Sequence, residues 1–275
     1  MKPRPTFSSR IFFQEPSINV LKSDYMLMDM HVHTKYSHDS RTQVKDLLSQ
    51  ASSLGIGFAV TDHIQVQGAL DASRQKKIMI IPGIEILSSE GKEILLYFYS
   101  RSDLEDFYAR HIAKCKMITK EPKSILRRSL VSVKCTRPMS KIIESAGKYS
   151  CVKSIPHPYT YLNRSSHRFF ANDKKMLKAI DAVEIINSTL QPKRNKRAAA
   201  YAAKHNKAFT AGSDAHLHRQ LGRAVVAAKA GSVEEFLDAV RKKNTLVLGG
   251  EMRRMEAVRN ILAMNKIKRH KRWKF

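Results

Sequence analysis

The sequence predicts an α/β fold, either a parallel sheet or a closed barrel with helices between its strands. Two observations predict it. Short β-branched runs alternate with segments of helical apolar spacing. Polar residues, mostly His, Asp and Glu, then stand at or just past the ends of those runs. A length of 275 residues allows one large core or two small domains.

Residues 1–23 carry Pro3, Pro5 and Pro16 and no sustained periodicity, so they read as an N-terminal arm. Residues 25–28 form a short apolar strand running into Asp29-Met30-His31-Val32-His33. Val44, Leu47, Leu48, Ala51 and Leu54 then recur at helical spacing, and Gly55 is placed to end that helix. A strand over 56–60 ends at Thr61-Asp62-His63, and another over 78–81 leads to Pro82-Gly83-Ile84-Glu85. Residues 94–99 are a further β-rich run. Ser102-Asp103-Leu104-Glu105 reads as a capping box opening a helix. From Lys114 to Lys153 the chain turns basic and irregular, with Lys120, Lys123, Arg127, Arg128, Lys134 and Arg137, and about 101–150 reads as a helical insertion or lid. A strand over 152–155 ends in Pro156-His157-Pro158. A helix near 173–180 precedes the strand 182–186, which carries Glu184 and leads to Asn187. The Ala-rich stretch 198–203 is helical, and 208–210 leads into Gly212-Ser213-Asp214-Ala215-His216. Ser232 caps a last helix with Phe236, Leu237 and Val240 inward. Residues 251–275 form a basic C-terminal tail.

Charge is the unusual bulk property: 50 Lys and Arg against 24 Asp and Glu give a net +26. Such an excess favours polyanions, whether nucleic acid, phosphate-bearing substrates or an acidic membrane surface; a merely solvated basic surface is the plainer alternative. No apolar run approaches the roughly 20 residues that span a bilayer. The basic N-terminus lacks a secretory apolar core, and the expectation is a soluble, cytoplasmic protein without membrane insertion. Cys115, Cys135 and Cys151 are odd in number and lack C-x-x-C spacing, so they read as reduced thiols.

His31 and His33 share one face of an extended backbone, as do Asp214 and His216. Either pair alone has a dull explanation as surface or core polar residues. Eight such side chains at matching strand ends (His31, His33, Asp39, His63, Glu85, His157, Asp214 and His216) point to a metal site. In a parallel barrel those positions converge on one face. Imidazole with carboxylate suits zinc, manganese or iron better than magnesium. Asp62 reads either as a residue orienting a ligand histidine or as a turn cap. Arg219, Lys193 and Arg194 read as substrate-phosphate contacts or as solvated loop cations.

Five ordered motifs carry a family resemblance: Asp29-Met30-His31-Val32-His33-Thr34 with Tyr36-Ser37-His38-Asp39-Ser40, then Thr61-Asp62-His63, Gly83-Ile84-Glu85, Pro156-His157-Pro158 and Gly212-Ser213-Asp214-Ala215-His216. Over about residues 24–250 they resemble the PHP (polymerase and histidinol phosphatase) domain phosphoesterases. The resemblance implies a distorted seven-stranded (β/α) barrel with two or three divalent metals at the strand ends. It implies His31, His33, Glu85 and Asp214 around one metal, Glu85 and His157 at a second, and Asp39, His63 and His216 at a third. Members often carry a Gly-His pair soon after the third-motif glutamate. Here that stretch reads Glu90-Gly91-Lys92-Glu93, and Glu93 is the candidate substitute. His38 and Asp39 compete as the first-motif ligand, with Asp39 preferred. Glu184 and Asn187 resemble a family E-x-x-N segment, in which Asn187 fixes a loop.

The implied activity is hydrolysis of a phosphate ester, metal-bound hydroxide attacking phosphorus. The substrate is a small phosphomonoester or nucleotide, or an oligonucleotide gripped by the basic insertion and tail. No Walker-type glycine loop or Ser-His-Asp order competes with this reading. The alternative is a non-catalytic nucleic-acid-binding protein on the same barrel.

Overall fold

In the computed structural model the described residues are 7–120, 131–160 and 164–250; the basic tail and Lys123, Arg127 and Arg128 of the insertion lie outside them. Twelve strands form among these residues: β1 Ile11–Phe12, β2 Met26–Val32, β3 Gly57–Val60, β4 Ile80–Leu87, β5 Glu93–Phe98, β6 Lys116–Lys120, β7 Val131–Cys135, β8 Cys151–Ile155, β9 Ala182–Asn187, β10 Ala208–Gly212, β11 Ala224–Ala228 and β12 Leu246–Gly249. Ten of them make one sheet in the order β1-β12-β11-β2-β3-β4-β5-β8-β9-β10. Strands β4, β5, β9, β10 and β11 are buried at every position, as sheets covered on both faces require.

The sheet curls. Its β10 edge returns to β2, where Val32 and Ala215 form a parallel bridge and the His33 N–H donates to the Ala215 carbonyl at 2.9 Å. Gly212 permits this approach, because a Cβ there would lie 2.2 Å from the His31 Cβ. The predicted parallel pairing holds for β2-β3-β4 and β8-β9-β10. It fails at β5, antiparallel to both β4 and β8, and at β11, antiparallel to β2 and β12. The turn Ser88 to Lys92 is too short for a crossover helix, so β5 has to run back beside β4.

Several local signals act as read. Gly55 adopts φ +71° and closes the helix Val44–Leu54, whose Leu47 and Ala51 are buried. Ser232 accepts the Glu235 N–H and opens Val233–Arg241, which buries Phe236, Leu237 and Val240. The capping box is corrected by two residues: Ser100, not Ser102, caps the helix Arg101–Phe107 by accepting the Asp103 N–H. A π-turn follows over Tyr108–Ile112.

The insertion is not wholly helical. Strands β6 and β7 pair as a separate antiparallel hairpin, and a disulfide joins Cys115 to Cys135 across its base. This corrects the reading of three reduced thiols; only Cys151 is free, and it is buried. The signal was absent because the partners are 20 residues apart and meet only once the hairpin forms. Such bonds persist in oxidising surroundings. The N-terminal arm is also more ordered than read. Phe7–Arg10 forms a 3-10 turn, β1 pairs in parallel with β12, and Arg10 donates to the Lys243 carbonyl. No described helix is long and apolar enough to cross a membrane.

Candidate metal centre

Strand β2 delivers the first two imidazoles. His31 and His33 are both fully buried, and their Nε2 atoms lie 3.1 Å apart. Glu85, on β4, brings its Oε2 to 3.2 Å from His31 Nε2, 3.5 Å from His33 Nε2 and 3.1 Å from His63 Nδ1. Asp214 places Oδ1 3.2 Å from His33 Nε2 and 3.7 Å from His31 Nε2. On the other side Asp39 Oδ2 faces His216 Nε2 at 3.1 Å and His63 Nε2 at 3.4 Å. His157, just past β8, lies 3.4 Å from Glu85 Oε1 and 3.8 Å from Glu93 Oε2. Donor atoms from four overlapping sets each fall within 4.8 Å of one another: His33, Asp39, His63 and His216; His31, His33 and Asp214; His31, Glu85 and His157; His63, Glu85 and Glu93.

The backbone pays a conformational cost to aim these groups. Asp214 sits at φ +52°, His157 at φ +25° and Ile64, next to His63, at φ +50°. Such left-handed conformations for residues other than glycine cost on the order of 1–3 kcal/mol each and concentrate at functional sites.

Around the cluster lies a frame of fully bonded acids. Glu184, on β9, accepts from His31 Nδ1 at 2.9 Å with one oxygen. Its other oxygen accepts the His157 N–H at 2.8 Å and the Asn187 Nδ2 at 3.1 Å. That bond turns His31 Nε2 inward. Asn187 Nδ2 also reaches Asp214 Oδ2 at 3.3 Å. Asp29 accepts the N–H groups of Ser213 and Gly222, both at 2.9 Å, and ties β2 to the β10 loop. Asp62 accepts the Thr34 N–H and hydroxyl, both at 2.6 Å, which makes it a turn-fixing residue. Burial pushes the Asp29 and Asp62 carboxyls up to about 6 in spite of those bonds.

The inner cluster is different: several buried atoms have no hydrogen-bond partner, namely Glu85 Oε1, Glu93 Oε2, His33 Nδ1, His157 Nδ1 and His216 Nε2. Glu85 Oε1 and His216 Nε2 have opposite-charge neighbours at 3.4 and 3.1 Å without hydrogen-bond alignment. Burial, with the adjoining His216 and His63 rings, lowers the His33 imidazole to about 4. Burial works against charge on His63 and His157, yet Glu85 and its fellow carboxylates carry both up to about 9. Lone pairs converging from imidazole and carboxylate in this way suit divalent cations.

The cluster floors a cleft of about 210 Å³, walled also by His38, Thr160, Arg164 and Thr189. A larger cavity of about 560 Å³ opens elsewhere, lined among others by Lys22, Tyr25, Met79 and Ala230, without converging ligand groups.

Residues 192–245 match the family model described as PHP-associated. Over 42 residues the chain is 38% identical to the probable histidinol-phosphatase of Thermotoga maritima, covering 15% of this chain and 18% of that protein. Over these stretches the chain is similar to PHP proteins. The chain is also 31% identical over 86 residues to an uncharacterized protein of Methanocaldococcus jannaschii, covering 26% of this chain and 50% of that one. The chain thus matches half of one curated relative's length and under a fifth of the other's. Among solved structures, PsfC of Pseudomonas syringae superposes with a TM-score of 0.61 at 16% identity, over 90% of this chain and 98% of that one. A lesion-specific endonuclease of Pyrococcus furiosus gives 0.59 at 17% identity, over 81% and 57%. These likenesses are of fold.

All eight strand-end residues meet in one set of overlapping clusters, His31 and His33 fully buried and the other six lining the cleft, and Glu93 joins them, 2% exposed. Asp39 faces the His63 and His216 nitrogens, whereas His38 stands 4.0 Å from Asp39 and lines the rim. The three cations read as phosphate contacts do not wall the cleft. Arg194 donates instead to the carbonyls of Tyr159 (2.6 Å) and Thr160 (3.0 Å), while Lys193 and Arg219 are exposed. The cation that does wall it, Arg164, pairs with Glu93 at 3.3 Å and was missed. It follows no strand and belongs to no motif, so nothing in the sequence marked it.

Proposed function

We propose that this chain hydrolyses phosphate esters with two or three divalent metal ions held in the cleft. The carrying observation is the overlap of four His/carboxylate sets around buried atoms that lack hydrogen-bond partners. In this reading His31, His33, Glu85 and Asp214 hold one ion, and Glu85, His157 and Glu93 a second. Asp39, His63 and His216 hold a third, with His33 close enough to contribute. Zinc, manganese and iron fit the donor set better than magnesium. When bound, such ions acidify a water and neutralise phosphoryl oxygens.

The residues of this chain supply the rest. Glu184 fixes the His31 ring so that Nε2 faces the substrate side, and Asn187 steadies Asp214. Arg164, at the cleft wall, is positioned to meet a phosphate oxygen as Glu93 turns toward a metal. Burial keeps competing water out of a site where charge stabilisation supplies most of the acceleration. Domain organisation follows the same reading: one barrel over 24–250 carrying the 101–150 insertion, with the N-terminal arm pairing onto β12.

The relatives' names support the class, a probable phosphatase in one case and an endonuclease in the other. The test is metal analysis of purified protein with a panel of histidinol phosphate, nucleotides and 5′- or 3′-phosphorylated oligonucleotides. Hydrolysis lost on chelation and restored by manganese or zinc is expected. A metal-loaded protein that turns over none of the panel overturns the proposal. If such a protein still binds oligonucleotides, the net +26 favours the second reading, a non-catalytic nucleic-acid-binding protein.

A further inference from the structure

Beside the cleft lies a second, open cavity of about 350 Å³ between the helices His167–Asn172 and Pro192–Lys204. Its lining includes Arg168, Arg197 and Lys204 and no carboxylate. Arg197, Tyr201 and Lys204 share one face of their helix at spacings of four and three. Four aromatic rings, Tyr159, His167, Tyr201 and His205, share the wall with Ala171, Asn172 and Ala200. Tyr159 stacks on His167 with centroids 4.1 Å apart, the Arg197 guanidinium lies 4.4 Å from the Tyr159 ring centre, and Tyr201 meets His205 at 4.5 Å. Tyr201 is only 6% exposed, yet its hydroxyl has no hydrogen-bond partner.

We propose that this groove seats one or two nucleotides of a single-stranded nucleic acid whose next phosphate enters the metal cleft. Guanidinium planes and aromatic rings offer stacking faces to any base, and nearby cations track the backbone. The Tyr201 hydroxyl supplies a buried hydrogen-bonding group awaiting a polar ligand atom. Continuity comes from residues 157–160. His157 and Thr160 wall the cleft, Tyr159 walls the groove, and Arg194 pins the Tyr159 and Thr160 carbonyls. Two residues of extended chain span at most about 7 Å, roughly two stacked nucleotides. The inference rests on the phosphoesterase reading for the fate of the strand, though not for its capture.

The test is fluorescence anisotropy of a labelled ten-nucleotide oligothymidylate with the full chain in chelator, across a salt series. The double variant Arg197→Glu with Lys204→Glu should bind at least tenfold more weakly, and its salt slope should fall by about one per lost phosphate contact. Tyr201→Phe should weaken binding a few-fold without changing that slope. Photocrosslinking of a 4-thiothymidine strand should label peptides containing Tyr159, Tyr201 or His205. Circular dichroism checks folding, and Arg197→Gln, at an exposed position, serves if the reversal unfolds the chain. Wild-type affinity and slope in the double variant, or crosslinks confined to residues 251–275, overturn the groove. So does equal Arg197-dependent binding to anionic phospholipid vesicles. If binding fails these tests while small phosphomonoesters are hydrolysed, the phosphoesterase reading stands and the groove falls. If Arg197-dependent binding holds while no phosphate ester is hydrolysed, the phosphoesterase reading falls instead.

Discussion

The cleft and the groove beside it share the segment 157–160 and are opposite in chemistry. The cleft buries imidazoles and carboxylates against one another and leaves Glu85 Oε1, Glu93 Oε2 and His157 Nδ1 unbonded. The groove is open, carries Arg168, Arg197 and Lys204, and contains no acid. In the proposed reading one region draws cations and the other polyanions. A phosphate ester needs both, since its charge must be held before metals act on it. The contrast also explains why a net +26 coexists with a cleft of concentrated acid: the excess positive charge lies outside it.

The sharpest way to break the contrast is at Glu85, whose carboxylate approaches His31, His33, His63 and His157. Glu85→Gln should abolish hydrolysis to a greater extent than the 10–100-fold typical of losing an outer partner of a metal ligand. Metal content by mass spectrometry should fall with it, while oligothymidylate affinity in chelator stays near wild type. Gly212→Ala comes next. Its Cβ would meet the His31 Cβ at 2.2 Å, N at 2.7 Å and Cα at 2.9 Å, and backbone atoms cannot rotate aside. Overpacking of this kind costs about 1–3 kcal/mol. Thermal unfolding should register that loss, and metal content should drop because His31 is displaced. An unchanged Tm with full metal loading would mean β10 does not press on β2 as described.

Much of the cleft was legible because strand ends are: a β-run followed by His, Asp or Glu constrains both position and direction. Glu93 was legible only through a departure from the family pattern, and it falls in one set, with His63 and Glu85, that could hold an ion. Arg164 was not, because its place depends on a loop that no periodicity marks. Arg194 misled in the opposite way, a cation read as a phosphate contact or a loop residue that the fold sets in the helix Pro192–Lys204 and bonds to two carbonyls. The antiparallel turns at β5 and β11 escaped notice because a fully buried strand reads alike in either direction. The Cys115–Cys135 pairing escaped because sequence separation hides a contact made by a hairpin.

Between cleft and frame the distinction is finer. Glu184 touches no proposed cation, yet it holds both the His31 ring and the His157 N–H. Glu184→Gln retains the shape and one acceptor oxygen but loses the carboxylate. The expected cost is about 10–100-fold in metal affinity, read by competition with a chelating dye. Added metal should restore turnover in this variant and not in Glu85→Gln. Equal failure of rescue in both would place Glu184 among the groups that touch metal.

The smallest effect on chemistry is expected at the cysteines, which lie outside both regions. Burial pushes the Cys151 thiol up to about 11, so at pH 8 the native protein should react with a thiol reagent far more slowly than a free cysteine does. The neutral thiol is the form that folding favours, so this group's contribution to stability is retained below about pH 9 and is lost as pH rises toward 11. Unfolding without reductant should expose one reactive thiol per chain, and reduction three, because Cys115 and Cys135 are joined. Closing a loop of that length stabilises by about 3 kcal/mol in the chain-entropy account, so reduction should lower Tm. The hairpin supplies no side chain to the four ligand sets, and metal content should survive reduction unchanged. A metal loss that tracks disulfide reduction would instead couple the insertion to the cleft and dissolve the separation between them.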